Sequence, residues 1–192
     1  MFKLRANTPA AWAVHVADHL DDFLVDHAAC ERKASANAMH FVVRYPDRTE
    51  LVAKMIAVAR EELEHFERVF EIMCERGVAL AADERDPYVN ELLAQVRTGR
   101  ETRLLDRLLV GSIIEYRGCE RFAMLARELG AREEPLSEFY REIAASEARH
   151  RGDFHDVARL YFAASDVDDR LSELLDAEAS IVERLPIRAA LH

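Results

Sequence analysis

The chain has 192 residues, half of them apolar, with 6 Gly and 5 Pro; that length normally makes one domain, and that composition favours helices over a sandwich or barrel. A formal net charge of −10 excludes a chain that coats nucleic acid non-specifically, while leaving room for a local basic patch. Cys30, Cys74 and Cys119 show no CxxC spacing, which points to a reducing compartment and away from a disulfide framework.

In chain order, Thr8 and Pro9 read as an N-cap and first helical position, and the helical pattern that follows runs to about Tyr45, before Pro46 and Asp47. A second helix is predicted from about Arg48 to Arg76, with Gly77 just past its end. Residues 78–86 read as loop, and a short helix follows Pro87 and ends near Gly99. The third long helix runs from about Glu101 to Leu129, closed by Gly130. The fourth runs from near Glu133 to about Ala164. A fifth covers roughly Asp166 to Leu185, with Asp166 as candidate N-cap. Residues 186–192 form a tail without an assigned role. No basic stretch followed by an apolar run opens the chain. No window is long and apolar enough to span a membrane, so the expected location is cytoplasmic.

Short turns make two antiparallel hairpins of the four long helices, and 78–100 is the crossover between them. One domain over 1–192 is expected. It is all-α, a ferritin-like four-helix bundle of two hairpins with a long crossover and an extra C-terminal helix.

Each long helix carries an apolar stripe at steps of three and four. Helix two gives Leu51, Met55, Val58, Glu62, His65, Val69, Ile72. Helix four gives Leu136, Tyr140, Ile143, Glu147, His150, Phe154. Both stripes are interrupted by Glu-x-x-His, two ligands one turn apart on one face. The stripes of helices one and three each hold one glutamate, Glu31 and Glu115. Glu31 precedes Glu62 by 31 residues and Glu115 precedes Glu147 by 32, a weak internal repeat of the hairpins.

Four carboxylates in a low-dielectric core repel one another and need protons or cations. Two divalent ions would balance them, with carboxylates bridging and each imidazole terminal, the di-iron or di-manganese pattern of this bundle class. The candidate metal ligands and catalytic residues are therefore Glu31, Glu62, His65, Glu115, Glu147 and His150. Glu-x-x-His alone is a weak motif, and its matched placement carries the argument. Glu120 is the alternative to Glu115, because "CERF" echoes "CERK" around Glu31, but hairpin symmetry favours Glu115. Glu61, Glu64 and Glu67 belong on a solvated face. His27, one turn before Glu31, reads equally as a group behind the ligands or a core histidine. His15, His19, His40 and His155 read as structural or exposed, Trp12 as packing, and Tyr116, Tyr140 and Tyr161 as core.

The stretches "CERKASANAM", "AREELEHFERVFEIMCERG", "LLVGSIIEYRGCERFAMLA" and "SEARHRGDFHDVA" resemble the bacterial tRNA hydroxylase family that acts on 2-methylthio-isopentenyladenosine beside the anticodon. The resemblance spans about residues 4–180, and "REELEHFE", "IEYRGCERF" and "SEARH" are its more specific parts. It implies a non-haem di-iron monooxygenase that hydroxylates the isopentenyl group. The same six residues would be ligands, O2 the co-substrate, and a reductase or ferredoxin the external electron donor. The tRNA anticodon arm would be the partner of a monomer or small homo-oligomer with no membrane association. Candidate RNA-facing cations are Arg97, Arg100, Arg103, Arg107, Arg117, Arg121, Arg127 and Arg132, which read equally as solvated arginines paired with nearby acids. Rival readings are a rubrerythrin-like ferroxidase or peroxidase, a di-iron oxidase of another small substrate, and a helical interaction module.

Overall fold

Alanine, leucine, glutamate and arginine dominate the segments between the Pro and Gly breaks, and those segments are helical. The computed structural model describes residues 2–150 and 152–192, without the side chains of Arg149 and His150. Among the described residues there are eight helices: α1 (Ala10–Asp18), α2 (Leu20–Arg44), α3 (Thr49–Arg76), α4 (Pro87–Leu93), α5 (Arg100–Ala131), α6 (Leu136–His150), α7 (Asp153–Tyr161) and α8 (Ala164–Arg184). No helix among them is long and apolar enough to cross a membrane.

The residues group into two compact units. One comprises His15–Glu84 with Arg188–Leu191. Its frame is the α2–α3 hairpin, and cross-helix bonds fix the antiparallel direction. Arg76 Nε donates to Asp21 Oδ1 at 2.7 Å, and Ser35 Oγ donates to the Ala59 carbonyl at 2.8 Å. Leu24, Ala28, Ala38, Leu51, Met55, Val69 and Met73 are fully buried in it, each large side chain stabilising by about 1.5–3 kcal/mol. The hairpin ends at Gly77, left-handed at φ 71°. There the Val78 N–H reaches the Met73 carbonyl at 2.8 Å, a closure that glycine makes without strain.

The other unit comprises Met1–Val14, Arg85–Ile187 and His192. Its long helix α5 runs antiparallel to α6. Ser137 Oγ donates to the Ala126 carbonyl at 3.1 Å, and Cys119 Sγ faces the Ala144 carbonyl at 3.7 Å. Asp86 caps α4 by accepting from the Val89 N–H at 3.2 Å, with Pro87 at the first position.

Several sequence expectations shift. The first helix divides at His19, whose φ of −129° is non-helical and whose Nδ1–H donates to the His15 carbonyl at 2.9 Å, a local bond that competes with the helix ladder. The fourth helix ends at His150 and α7 begins at Asp153. Gly152 weakens helix propagation, and Asp153 and Asp156 favour a new N-terminus. The helix after Pro87 stops at Leu93, not near Gly99. Gly130 lies inside α5; the left-handed closing residue is Glu133, at φ 57°, with Glu134 N–H to the Leu129 carbonyl at 3.0 Å. Ala163, not Asp166, precedes α8, and Asp166 sits in its first turn. The Thr8 hydroxyl donates to Glu120 Oε2 at 2.7 Å. The tail is anchored, because Ala190 and Leu191 are buried and the Leu191 N–H meets Asp26 Oδ2 at 2.7 Å.

Candidate metal centre

The α2–α3 hairpin places Glu31 on one helix opposite Glu62 and His65 on the other. All three are buried, at 4%, 3% and 4% exposure, and their ligand atoms lie within 4.8 Å of one another. His27, fully buried one turn earlier on α2, has its Nε2 2.6 Å from Glu31 Oε1. Because a carboxylate only accepts, Nε2 carries the proton in that bond. The other oxygen, Oε2, stands 3.9 Å from His65 Nδ1. Burial by itself would push the Glu31 carboxyl up. The hydrogen bond and positive charge of His27, a bond with Glu62 and the charge of His65 outweigh it and bring it down to about 2. Glu31 is thus an anion at neutral pH.

In the other unit, α5 and α6 bring Glu115 and Glu147 together, with carboxylate oxygens within 4.8 Å. Glu147 is buried and Glu115 half-buried. His150 is the last residue of α6, one turn beyond Glu147; its side chain lies outside the described residues. Glu120 goes elsewhere, accepting from Thr8 and from Arg117 Nη1.

These donors fit first-row divalent ions. Bonds of about 2.0–2.2 Å set two ligands of one ion at most about 4.4 Å apart, so clusters spread over 4.8 Å need only small side-chain shifts to close. Carboxylate and imidazole without thiolate suit iron or manganese.

The same unit buries a second charged cluster. Arg117 is fully buried on α5 and donates through Nη2 to Glu178 Oε1 at 2.7 Å, through Nε to the same oxygen at 2.9 Å, and to the Ala6 carbonyl at 2.9 Å. The Tyr88 hydroxyl donates to Glu178 Oε1 at 3.1 Å. Burial, with Glu178 beside it, holds that hydroxyl well above its ordinary value. Arg121 lies over the Trp12 ring at 5.3 Å. These two buried arginines therefore correct the list of RNA-facing cations: Arg117 is held by Glu178, and Arg121 donates to the Thr8 hydroxyl at 3.3 Å. Arg97 is held by Asp106 at 2.8 Å and Arg132 by Glu128 at 2.8 Å. Arg100, Arg103 and Arg127 are exposed and Arg107 half-buried. The buried acid Glu178 was legible as a carboxylate in the α8 apolar stripe of Leu171, Leu174, Leu175 and Ile181.

Glu64 and Glu67 are exposed and Glu61 half-buried. Trp12 and Tyr140 are core. Tyr116 stacks on Phe2 at 4.1 Å. Half-buried His155 is held below its usual value by burial.

Helical hairpins carrying buried Glu and Glu-x-x-His define an all-α protein of the ferritin-like class, and comparison bears this out. A solved structure, "Protein 43 with aldehyde deformylating oxygenase activity from Synechococcus", matches with a TM-score of 0.90 and 35% identity over 98% of this chain and 93% of that one. The family model described as tRNA-(MS[2]IO[6]A)-hydroxylase (MiaE) matches residues 2–192, and the chain belongs to this family of tRNA-hydroxylating enzymes. A Pseudomonas putida relative is 35% identical over 92% of this chain and 84% of its own length, and a Salmonella typhimurium relative 29% identical over 93% and 83%. Both are named tRNA 2-(methylsulfanyl)-N(6)-isopentenyladenosine(37) hydroxylase.

Proposed function

We propose that this chain hydroxylates the isopentenyl group of 2-methylthio-isopentenyladenosine beside the tRNA anticodon, with two iron ions held by Glu31, Glu62, His65, Glu115, Glu147 and His150. In this reading both units act as one ferritin-like domain over 1–192. The observation that carries it is acid burial repeated in two hairpins, at matched sequence spacing, in a chain whose family model spans residues 2–192.

Bound iron would supply O2 activation and transfer of one oxygen atom into a C–H bond. The balance is one O2, two electrons and two protons for each hydroxyl and water formed. The electrons come from a reductase or ferredoxin outside this chain. The protein's part is positioning and exclusion. Glu31, Glu62 and Glu147 hold their carboxylates away from water, and the apolar side chains around them keep bulk solvent from the reacting carbon. Exposed Arg103 and Arg127 offer phosphate contacts, which makes tRNA affinity strongly salt-dependent. In this reading the enzyme works in the cytoplasm and is a monomer or small homo-oligomer.

The Synechococcus neighbour motivates a second reading, removal of a formyl group from an aldehyde on the same kind of site. The two separate cleanly. In a gene-deletion strain, mass spectrometry of digested tRNA is expected to show the unhydroxylated nucleoside accumulating. Complementation by the wild type, but not by Glu62→Ala, restores the hydroxylated form. An unchanged nucleoside profile, with formate released from an aldehyde by the iron-loaded protein, would replace the first reading with the second.

A further inference from the structure

The two helices that each carry one glutamate of the proposed centre are not built alike, and the difference lies one turn before Glu31 and Glu115. Four residues before Glu31 stands His27, fully buried, with its ring tilted against Phe23 at 5.8 Å and its Nε2 2.6 Å from Glu31 Oε1. Four residues before Glu115 stands Gly111, which has no side chain. A Cβ there would lie 3.1–3.3 Å from ring carbons of Phe154, so that ring occupies the space. A hydrogen-bonding side chain at the i−4 position therefore exists on α2 and is absent from α5.

The consequence for Glu31 is geometric. Oε1 is engaged by His27, and Oε2 is the oxygen turned toward His65. One rotamer is selected, and one oxygen is presented. A carboxylate already ordered and desolvated loses less side-chain entropy when a cation arrives, and groups behind the ligands typically change metal affinity 10–100-fold.

Resting on the metal-centre reading above, we infer that His27 is a positioning residue: it holds Glu31 Oε1 so that Oε2 faces the cation.

The test uses the full-length apoprotein titrated with Co(II), read by calorimetry and by visible absorption of the bound ion. Wild type is expected to bind two ions in two resolved events. His27→Leu, which keeps bulk and loses the donor, weakens Co(II) binding about 10–100-fold in at least one of the two events. His27→Gln, whose amide can donate to Oε1, recovers at least half of that loss on a logarithmic scale. Circular dichroism and melting show that each variant is folded. If either variant fails to fold, His27→Asn against His27→Val repeats the donor comparison. Binding unchanged in the donorless variant overturns the inference, as does full recovery by an apolar residue. Wild type that binds no Co(II) overturns instead the metal-centre reading beneath it.

Discussion

The protein buries glutamate on two different terms. Glu178 is fully buried but lies against the equally buried Arg117, with the Tyr88 hydroxyl on the same oxygen; its charge is balanced within the chain. Glu31, Glu62 and Glu147 are buried beside other acids and, for Glu31 and Glu62, histidine. A buried carboxylate needs a compensating charge. Where the chain supplies one, the acid is structural. Where the described neighbours are imidazoles and more carboxylates, the proposed metal ions would supply the rest of the compensation. The difference separates scaffold from site without reference to any motif.

The sharpest way to break this contrast is to unbalance the structural cluster. Arg117→Ala leaves Glu178 buried and unpaired, and should cost about 3–5 kcal/mol, roughly 10 °C in melting temperature for a chain of this size. The double variant Arg117→Met with Glu178→Met should recover most of that loss, and neither effect should depend on iron. Next in size is removal of the metal. Chelation from protein held at 100 times its dissociation constant should lower stability by about 2.7 kcal/mol. Differential scanning calorimetry with and without chelator measures it, and Arg117→Ala should show the same metal-dependent increment as wild type.

Asp106 sharpens the comparison with a pH dependence. Burial would raise its carboxyl, but hydrogen bonds from Arg97 and Arg170 hold it below its ordinary 3.8. A group depressed in the folded state stabilises fully above its unfolded value, and that stability is lost as pH falls through the folded value. Asp106→Asn should therefore cost about 1–2 kcal/mol at pH 7, with the exposure of Arg97 keeping it modest. The gap to wild type should close as pH falls below about 4, as read by urea titration across pH. The smallest effect belongs to the exposed pair Arg141–Glu138. Arg141→Ala should change stability by less than about 0.5 kcal/mol, within the resolution of the same titrations.

Much of this was legible in the sequence, for physical reasons. Four long helices follow from apolar steps of three and four between Pro and Gly breaks. Glu62 and Glu147 were visible because an acid inside an apolar stripe has to be explained. Hairpin symmetry already favoured Glu115 as the partner of Glu147, but the diversion of Glu120 to Thr8 and Arg117 needed the third dimension, because Thr8 lies on a distant segment. The fates of Arg117 and Arg121 were hidden for the same reason: an arginine in a charged stretch looks solvated until its partner on a distant helix is known. The break at His19 depends on one side-chain bond to a carbonyl, which composition does not report. His27 was seen as a residue of two possible roles, and only the 2.6 Å contact with Glu31 gives it a partner.

The central claim is that the clusters of buried glutamate and histidine hold two iron ions. Iron per chain, by elemental analysis after anaerobic loading and desalting, tests it most directly when wild type is measured beside Glu62→Ala, Glu147→Ala and Glu178→Ala. The account predicts two irons in wild type, one or fewer in each of the first two variants, and two in whatever fraction of Glu178→Ala is folded. Iron that stays at two in Glu62→Ala and Glu147→Ala, or wild type that retains none, would contradict it.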